Sequence, residues 1–136
     1  MAIKYHPKVG SILMCDFSQG FKEPEMTKKR PILVVSSIRK RGGLVTVACI
    51  STSTPNPVEP YHYLLPKASM PRMKEFQEKE SWVKADMLYT VGFHRLDQIR
   101  LPTRGADGKR MYYQDRLGRE QMQAIRKCLL AGLGIS

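Results

Sequence analysis

The chain predicts a mainly β fold, a small antiparallel barrel or sandwich packed by a C-terminal helix, and three observations carry that prediction. Short apolar runs, several of them β-branched, recur through the first two thirds of the sequence. The connections between them hold the Gly and Pro residues that hairpins and loops require. The only strong helical stripe lies near the end, where Met122, Ile125, Cys128, Leu129 and Leu133 recur at three- and four-residue spacing. Strands first and a helix last suit a β layer covered by a terminal helix.

Taken in order, residues 9–17 alternate loosely and read as the first strand. Residues 31–38 and 44–50 are β-branched and read as the next two. Arg39-Lys40-Arg41-Gly42-Gly43 joins them, its glycine pair supplying the positive φ of a hairpin and its cations making a basic tip. The prolines at 55, 57 and 60 keep their segment out of a ladder, so it is a loop leading into a short strand at 61–65. Residues 70–79 suggest a short helix starting near Pro71, residues 81–89 another strand, and residues 91–100 a turn and connector. Asp115 and Gly118 are alternative caps for the last helix, and Gly132 and Gly134 are expected to stop it.

With 136 residues, 42% of them hydrophobic, the chain suits one domain over 1–136. Lys and Arg outnumber Asp and Glu by 23 to 12, and the net charge of +11 points to a polyanionic partner, nucleic acid ahead of an anionic membrane surface. No apolar run approaches the roughly 18 residues that span a bilayer, and the N-terminus lacks a signal-peptide core, so a soluble cytoplasmic protein is expected. Cys15, Cys49 and Cys128 are odd in number, widely spaced and in apolar context, which suits buried thiols and neither disulfides nor a metal site.

The most informative stretch is Lys28-Lys29-Arg30-Pro31, followed at once by Ile32-Leu33-Val34-Val35. It sets three cations at the mouth of a proline-stiffened strand, and a guanidinium fork held there matches a phosphate. With it stand Gly10 to Phe17, the run Ala48-Cys49-Ile50-Ser51-Thr52-Ser53, and Ser81-Trp82-Val83-Lys84-Ala85-Asp86. Read in that order, and with the closing segment Leu117 to Ile135, they resemble the PemK/MazF family of endoribonuclease toxins from type II toxin–antitoxin modules.

The resemblance covers about residues 9–135 and implies an SH3-like barrel with a C-terminal helix, usually a homodimer, that cuts single-stranded RNA without a metal or other cofactor. By position Arg30 matches the catalytic arginine and Ser51 the catalytic hydroxyl, with Thr52 a rival one residue on. Asp86 matches an acidic position near the RNA groove. The chain departs from the family pattern at Met87 and Tyr89, where Gln and Arg are common, and at Ser11, where Asp is usual. Its first loop, residues 18–29, is poorer in glycine and carries Pro24, Glu23 and Glu25.

RNA carries its own nucleophile, so a catalyst needs to align the 2′-hydroxyl, neutralise the developing charge and assist two proton transfers. Arg30 suits charge stabilisation and is a poor base, which leaves the base unassigned. His62 and His94 form a competing acid–base pair if the fold unites them. Phe21, Tyr61, Tyr63 and Trp82 are candidates for stacking on unpaired bases, with core packing the alternative for Trp82 in its apolar strand, and Phe17 is a further candidate for RNA contact. Lys28, Lys29, Arg39, Lys40 and Arg41 supply diffuse phosphate attraction. For the antitoxin that the resemblance implies, the charge predicts an acidic chain, whose apolar anchors would use Phe17, Phe21 and Trp82. Two other classes stay open: a non-catalytic barrel that clamps a protein such as a topoisomerase, and a plain RNA-binding module.

Overall fold

In the computed structural model residues 2–135 are described. Six strands, β1 (Ile12–Asp16), β2 (Lys29–Ser36), β3 (Leu44–Ser51), β4 (His62–Leu65), β5 (Ser81–Gly92) and β6 (Leu96–Asp97), form one antiparallel sheet in the order β4-β5-β3-β2-β1-β6. A separate hairpin pairs β7 (Arg100–Arg104) with β8 (Arg110–Tyr112). The helices are α1 (Lys74–Gln77) and α2 (Arg119–Gly132). The mainly β architecture with a terminal helix agrees with the expectation, but the sheet is not closed into a barrel. Its edges are the four-residue β4, which follows the proline-rich loop, and the two-residue β6.

Alternation along the strands gives each face of the sheet its own core. On one face Ile12, Leu33, Ala48, Ile50 and Val83 pack with Leu65, Met70, Phe76, Ile99 and the α2 residues Met122 and Ile125. On the other Leu13, Cys15, Ile32, Val34, Val45, Val47, Cys49 and Val91 pack with Ile3, Phe17 and Leu96. Among the described residues no long helix covers the second face; Ile3 of the N-terminal segment and Phe17, Phe21 and Met26 of the loop after β1 pack on it instead.

Several local expectations are corrected. Residues 91–100 are not a bare connector: β5 runs on to Gly92, a 3-10 turn spans Phe93–Arg95, and β6 and β7 follow. In the hairpin after β2 only Gly42 has positive φ, at 65°, after a 3-10 turn over Arg39–Arg41. Gly118 is the residue before α2, its N–H donating to Gln121 Oε1 at 3.3 Å. Gly132 does not stop α2 but is its last residue; a Cβ there would lie 2.7 Å from the Ala85 carbonyl, so it is a point of backbone contact with β5. Gly134, with φ 75°, is the left-handed residue that ends the turn. All three cysteines are buried and free, as expected.

Candidate active site

Arg30 sits at the start of β2, directly across from Cys15 of β1, and alternation puts its side chain on the face of Ile32 and Val34. Its Nε donates to the Thr27 carbonyl at 3.0 Å. That bond orients the guanidinium and leaves its two terminal nitrogens as donors. The backbone enters the strand through Lys28, a non-glycine residue at φ 68°, whose carbonyl accepts from Phe17 N–H at 2.7 Å. A left-handed lysine costs about 1–2 kcal/mol. Strain of this kind persists where surrounding contacts over-determine the backbone.

β3 brings the hydroxyl. The β2–β3 register includes Ile32↔Cys49, and continued by two residues it carries Arg30 and Ser51 to the same end of the pair and the same face. Ser51 Oγ accepts from Ser53 N–H at 3.1 Å, so its proton remains available for donation. Thr52 lies beyond the last paired residue, where the chain bends away from the sheet. On the other side of β3, Ser51 pairs with Trp82 and Cys49 with Lys84, so Lys84 of β5 joins the same face. Beyond it β5 bulges: the register jumps from Cys49↔Lys84 to Ala48↔Leu88, and the exposed Asp86 sits in the bulge.

The loop after β1 forms one wall. Phe17, Phe21 and Tyr89 meet at ring separations of 5.2 to 5.5 Å, and the Arg95 guanidinium lies 4.7 Å over the Phe21 ring. Arg95 Nη1 donates to the carbonyls of Asp16 and Gln19 at 3.0 and 2.8 Å, and Met26 N–H donates to Tyr89 Oη at 3.0 Å. The loop is thus tied to the sheet at both ends. Tyr89 fastens the wall to β5.

Electrostatics follow from this packing. The Cys15 and Cys49 thiols are pushed up to about 12 by burial, so they stay protonated at neutral pH and are not nucleophiles even though Arg30 and Lys84 lie near Cys49. The Ser18 hydrogen bonds, chiefly, and then Lys29 and Arg95 hold the Asp16 carboxyl below the usual carboxylate range. Desolvation raises the Tyr61 phenol, with Asp86 and Glu59 adding to it.

The other sequence candidates scatter. Phe17 is fully buried and cannot stack on a base; it is the anchor of the loop. Trp82, at 8% exposure, is likewise a packed side chain, and Tyr63 packs against the core on the helix side of the sheet. Phe21 is half-buried, with one ring face taken by Arg95. Tyr61 is half-buried at the mouth of β4, edge-on to His62 at 4.6 Å. Lys28 and Lys29 are exposed beside Arg30. Arg39 and Lys40 are exposed, and with Arg41 they sit at the far end of β2, roughly 25 Å along an eight-residue strand. They are not part of this site. His62 and His94 are not brought together: the first lies on β4 and the second beside β6, at opposite edges of the sheet. His62 Nδ1 is already an acceptor for Glu59 N–H at 3.0 Å. Lys84 was not singled out by sequence reasoning, although a lone cation in phase with Trp82 in an apolar strand was a readable signal.

Comparison with known proteins agrees with the fold. The family model of the PemK-like, MazF-like toxin of type II toxin–antitoxin systems matches residues 8–133. An uncharacterized protein of Haemophilus influenzae is 33% identical over 110 residues, covering 73% of this chain and 76% of that one. MazF from Deinococcus radiodurans superposes with a TM-score of 0.63 at 16% identity, covering 97% of this chain and 100% of the other. An endoribonuclease from a Mycobacterial species, solved with its cognate antitoxin, superposes with a TM-score of 0.60 at 20% identity, covering 96% and 97%. The fold agrees along nearly the whole length, and the family match spans the Arg30 strand, the Ser51 strand and the closing helix. The chain therefore belongs to the PemK-like, MazF-like toxins of type II toxin–antitoxin systems.

Proposed function

We propose that this toxin is an endoribonuclease that cuts single-stranded RNA by attack of the 2′-hydroxyl on the adjacent phosphate, leaving 2′,3′-cyclic phosphate and 5′-hydroxyl ends. The observation that carries the reading is the convergence of Arg30 and Ser51 at one end of the β2–β3 pair, on the face without a long helix. The terminal guanidinium nitrogens of Arg30 bind the nonbridging oxygens as charge builds, and a charge-assisted bond of this kind is about twice as strong as a neutral one. Ser51 donates a further hydrogen bond to the same phosphate. Lys28 and Lys29 attract the backbone, Tyr61 offers a ring to an unpaired base, and the Asp86 carboxylate marks the rim of the groove. The internal nucleophile needs no metal.

The antitoxin in this reading is an acidic chain that covers Arg30 and the loop 18–29, as a polyanion-binding groove invites. The Mycobacterial neighbour was solved with its cognate antitoxin, which supports the idea of a dedicated inhibitor. A homodimer acting in the cytoplasm is part of the same reading.

The test is incubation of purified protein with a long single-stranded RNA in EDTA, followed by mass analysis of the fragment ends. Discrete fragments with cyclic phosphates are expected. Intact RNA that is nonetheless bound would mean a binding module, and neither binding nor cleavage would favour a clamp on a protein target. Metal-dependent fragments with 5′-phosphates would replace the mechanism with hydrolysis by activated water.

A further inference from the structure

A cleft of about 930 Å³ opens beside β1, and the proposed cleavage does not use it. Its walls come from segments far apart in sequence: the N-terminal residues 2–5, the end of β1, residues 94–98, and the cross-strand pair Arg100 and Tyr112 of the β7–β8 hairpin. It adjoins the proposed reaction site through Cys15, which lines it and is the cross-strand partner of Arg30; Lys29 and Asp16, partners across β1 and β2, line it from the opposite face of that pair.

The lining cations are Lys4, Lys29, Arg95 and Arg100, against Asp16 and Asp97. Arg95 is spent on the carbonyls of Asp16 and Gln19 and builds the wall. Asp16 accepts from Ser18 N–H at 2.8 Å and Asp97 from Gln98 N–H at 2.9 Å. Lys4, Lys29 and Arg100 are exposed. Two aromatic rings stand among them: Tyr5, 48% exposed with its hydroxyl 3.2 Å from Gln98 Nε2, and the half-buried Tyr112. Cations interleaved with aromatics are the combination that holds unpaired nucleotides. Apart from Tyr5, the large exposed hydrophobics lie outside this cleft, so a peptide's apolar anchors would find few seats in it.

We infer that the cleft is a second subsite for the same RNA strand, holding the nucleotides on one side of the cut, with phosphates on Lys4 and Arg100 and a base against Tyr5 or Tyr112. The inference rests on the nuclease reading, and its role is to lengthen the bound tract and fix its direction. The β7–β8 hairpin would then be a substrate-binding arm. Its turn places Gly108 at φ 76°, and Arg104 Nη1 donates to the Gly108 carbonyl at 3.1 Å, so the arm is stiffened from within.

The experiment compares full-length wild type, Lys4→Ala with Arg100→Ala, and a matched control, Arg126→Ala with Lys127→Ala on the exposed side of α2. The probe is a long fluorescent 2′-O-methyl RNA, whose blocked nucleophile prevents cleavage, titrated by anisotropy across a salt series. The slope of log affinity against log salt should fall by about 1.4 for the cleft pair, at about 0.7 per phosphate contact on a single strand. The control should keep more of the wild-type slope. On cleavable RNA of the same length the cleft pair should raise KM with kcat retained. A slope change no larger than the control's would overturn the inference, as would a shift of the cleft pair from dimer to monomer in sedimentation, which would make the cleft a contact between copies. Because the probe cannot be cut, its result stands apart from the cleavage assay. RNA cleaved normally by wild type, with an unchanged slope for the cleft pair, rejects the subsite alone. Absence of cleavage by wild type rejects the nuclease reading.

Discussion

At the scale of single residues the proposed site rests on one cation and one hydroxyl, Arg30 and Ser51, each hydrogen-bonded to a backbone group. Arg30→Ala should lower kcat by about 10² to 10³, the loss typical of one transition-state donor. Its melting temperature should stay near wild type, because the side chain has one hydrogen bond and no place among the buried core residues. Arg30→Lys should rescue little, since an ammonium lacks the planar fork. Ser51→Ala should cost less than Arg30→Ala, and Thr52→Ala should cost less again, because only Ser51 shares the Arg30 face. Single-turnover rates on one RNA would rank the variants; equal losses at 51 and 52 would contradict that placement.

Asp16 offers a separate residue-scale test through pH. Its carboxyl is held below the ordinary value of 3.8, chiefly by Ser18, so the charged form is favoured in the folded protein. The stabilisation it gives is complete above that value and lost as pH falls through the lower folded-state value. Asp16→Asn should therefore lower the melting temperature by a constant amount from neutral pH down to about 5, and the gap should close towards pH 3. Melting curves of both proteins across that range are the check.

At the scale of elements the loop after β1 and the end of α2 are the parts whose contacts most directly shape the groove. Tyr89→Phe removes the partner of Met26 N–H at a cost of about 1 kcal/mol. Because that bond ties the loop to β5, hydrogen exchange in residues 18–28 should speed up and KM for RNA should rise. Gly132→Ala is expected to reverse a general rule. In an exposed helix the change would gain about 1 kcal/mol from propensity. Here the new Cβ would meet the Ala85 carbonyl at 2.7 Å and the Asp86 Cα at 2.9 Å, atoms of the β5 backbone that cannot rotate away. A net loss of about 1–3 kcal/mol in urea unfolding is expected.

At the scale of the molecule, the +11 charge sets how partners arrive. Association with an acidic antitoxin should be fast at low salt and slow as ionic strength rises, because screening acts on the encounter more than on the docked contacts. Stopped-flow on-rates across a salt series, with RNA as competitor, test this: a salt-independent rate, or a ternary complex that keeps full RNA affinity, would reject the picture. Of the aromatic anchors expected for that partner, Phe17 and Trp82 are buried in the free toxin, which leaves Phe21 as the half-buried one.

What the sequence determined by itself was what local pattern encodes. Short apolar runs, one loosely alternating and others β-branched, placed β1 to β5, a three-and-four spacing placed α2, and the Arg30-Pro31 step marked the mouth of a strand, since each depends on neighbours within a few residues. The basic composition likewise required no fold. Tertiary structure decided the rest, because register and burial arise between distant segments. Phe17 and Phe21 look alike in sequence, yet one is fully buried and the other is a half-buried wall. Ser51 and Thr52 are neighbours, and the pairing with β2 and β5 separates them. The short β6 exists through its pairing with β1 and the backbone of Ile3, and β7 and β8 flank a turn whose Asp107-Gly108 was a local hairpin signal that went unread. Lys84 joined the face of Arg30 and Ser51 only when β5 paired with β3, and the second cleft formed only when the N-terminus, β6 and the hairpin met around β1.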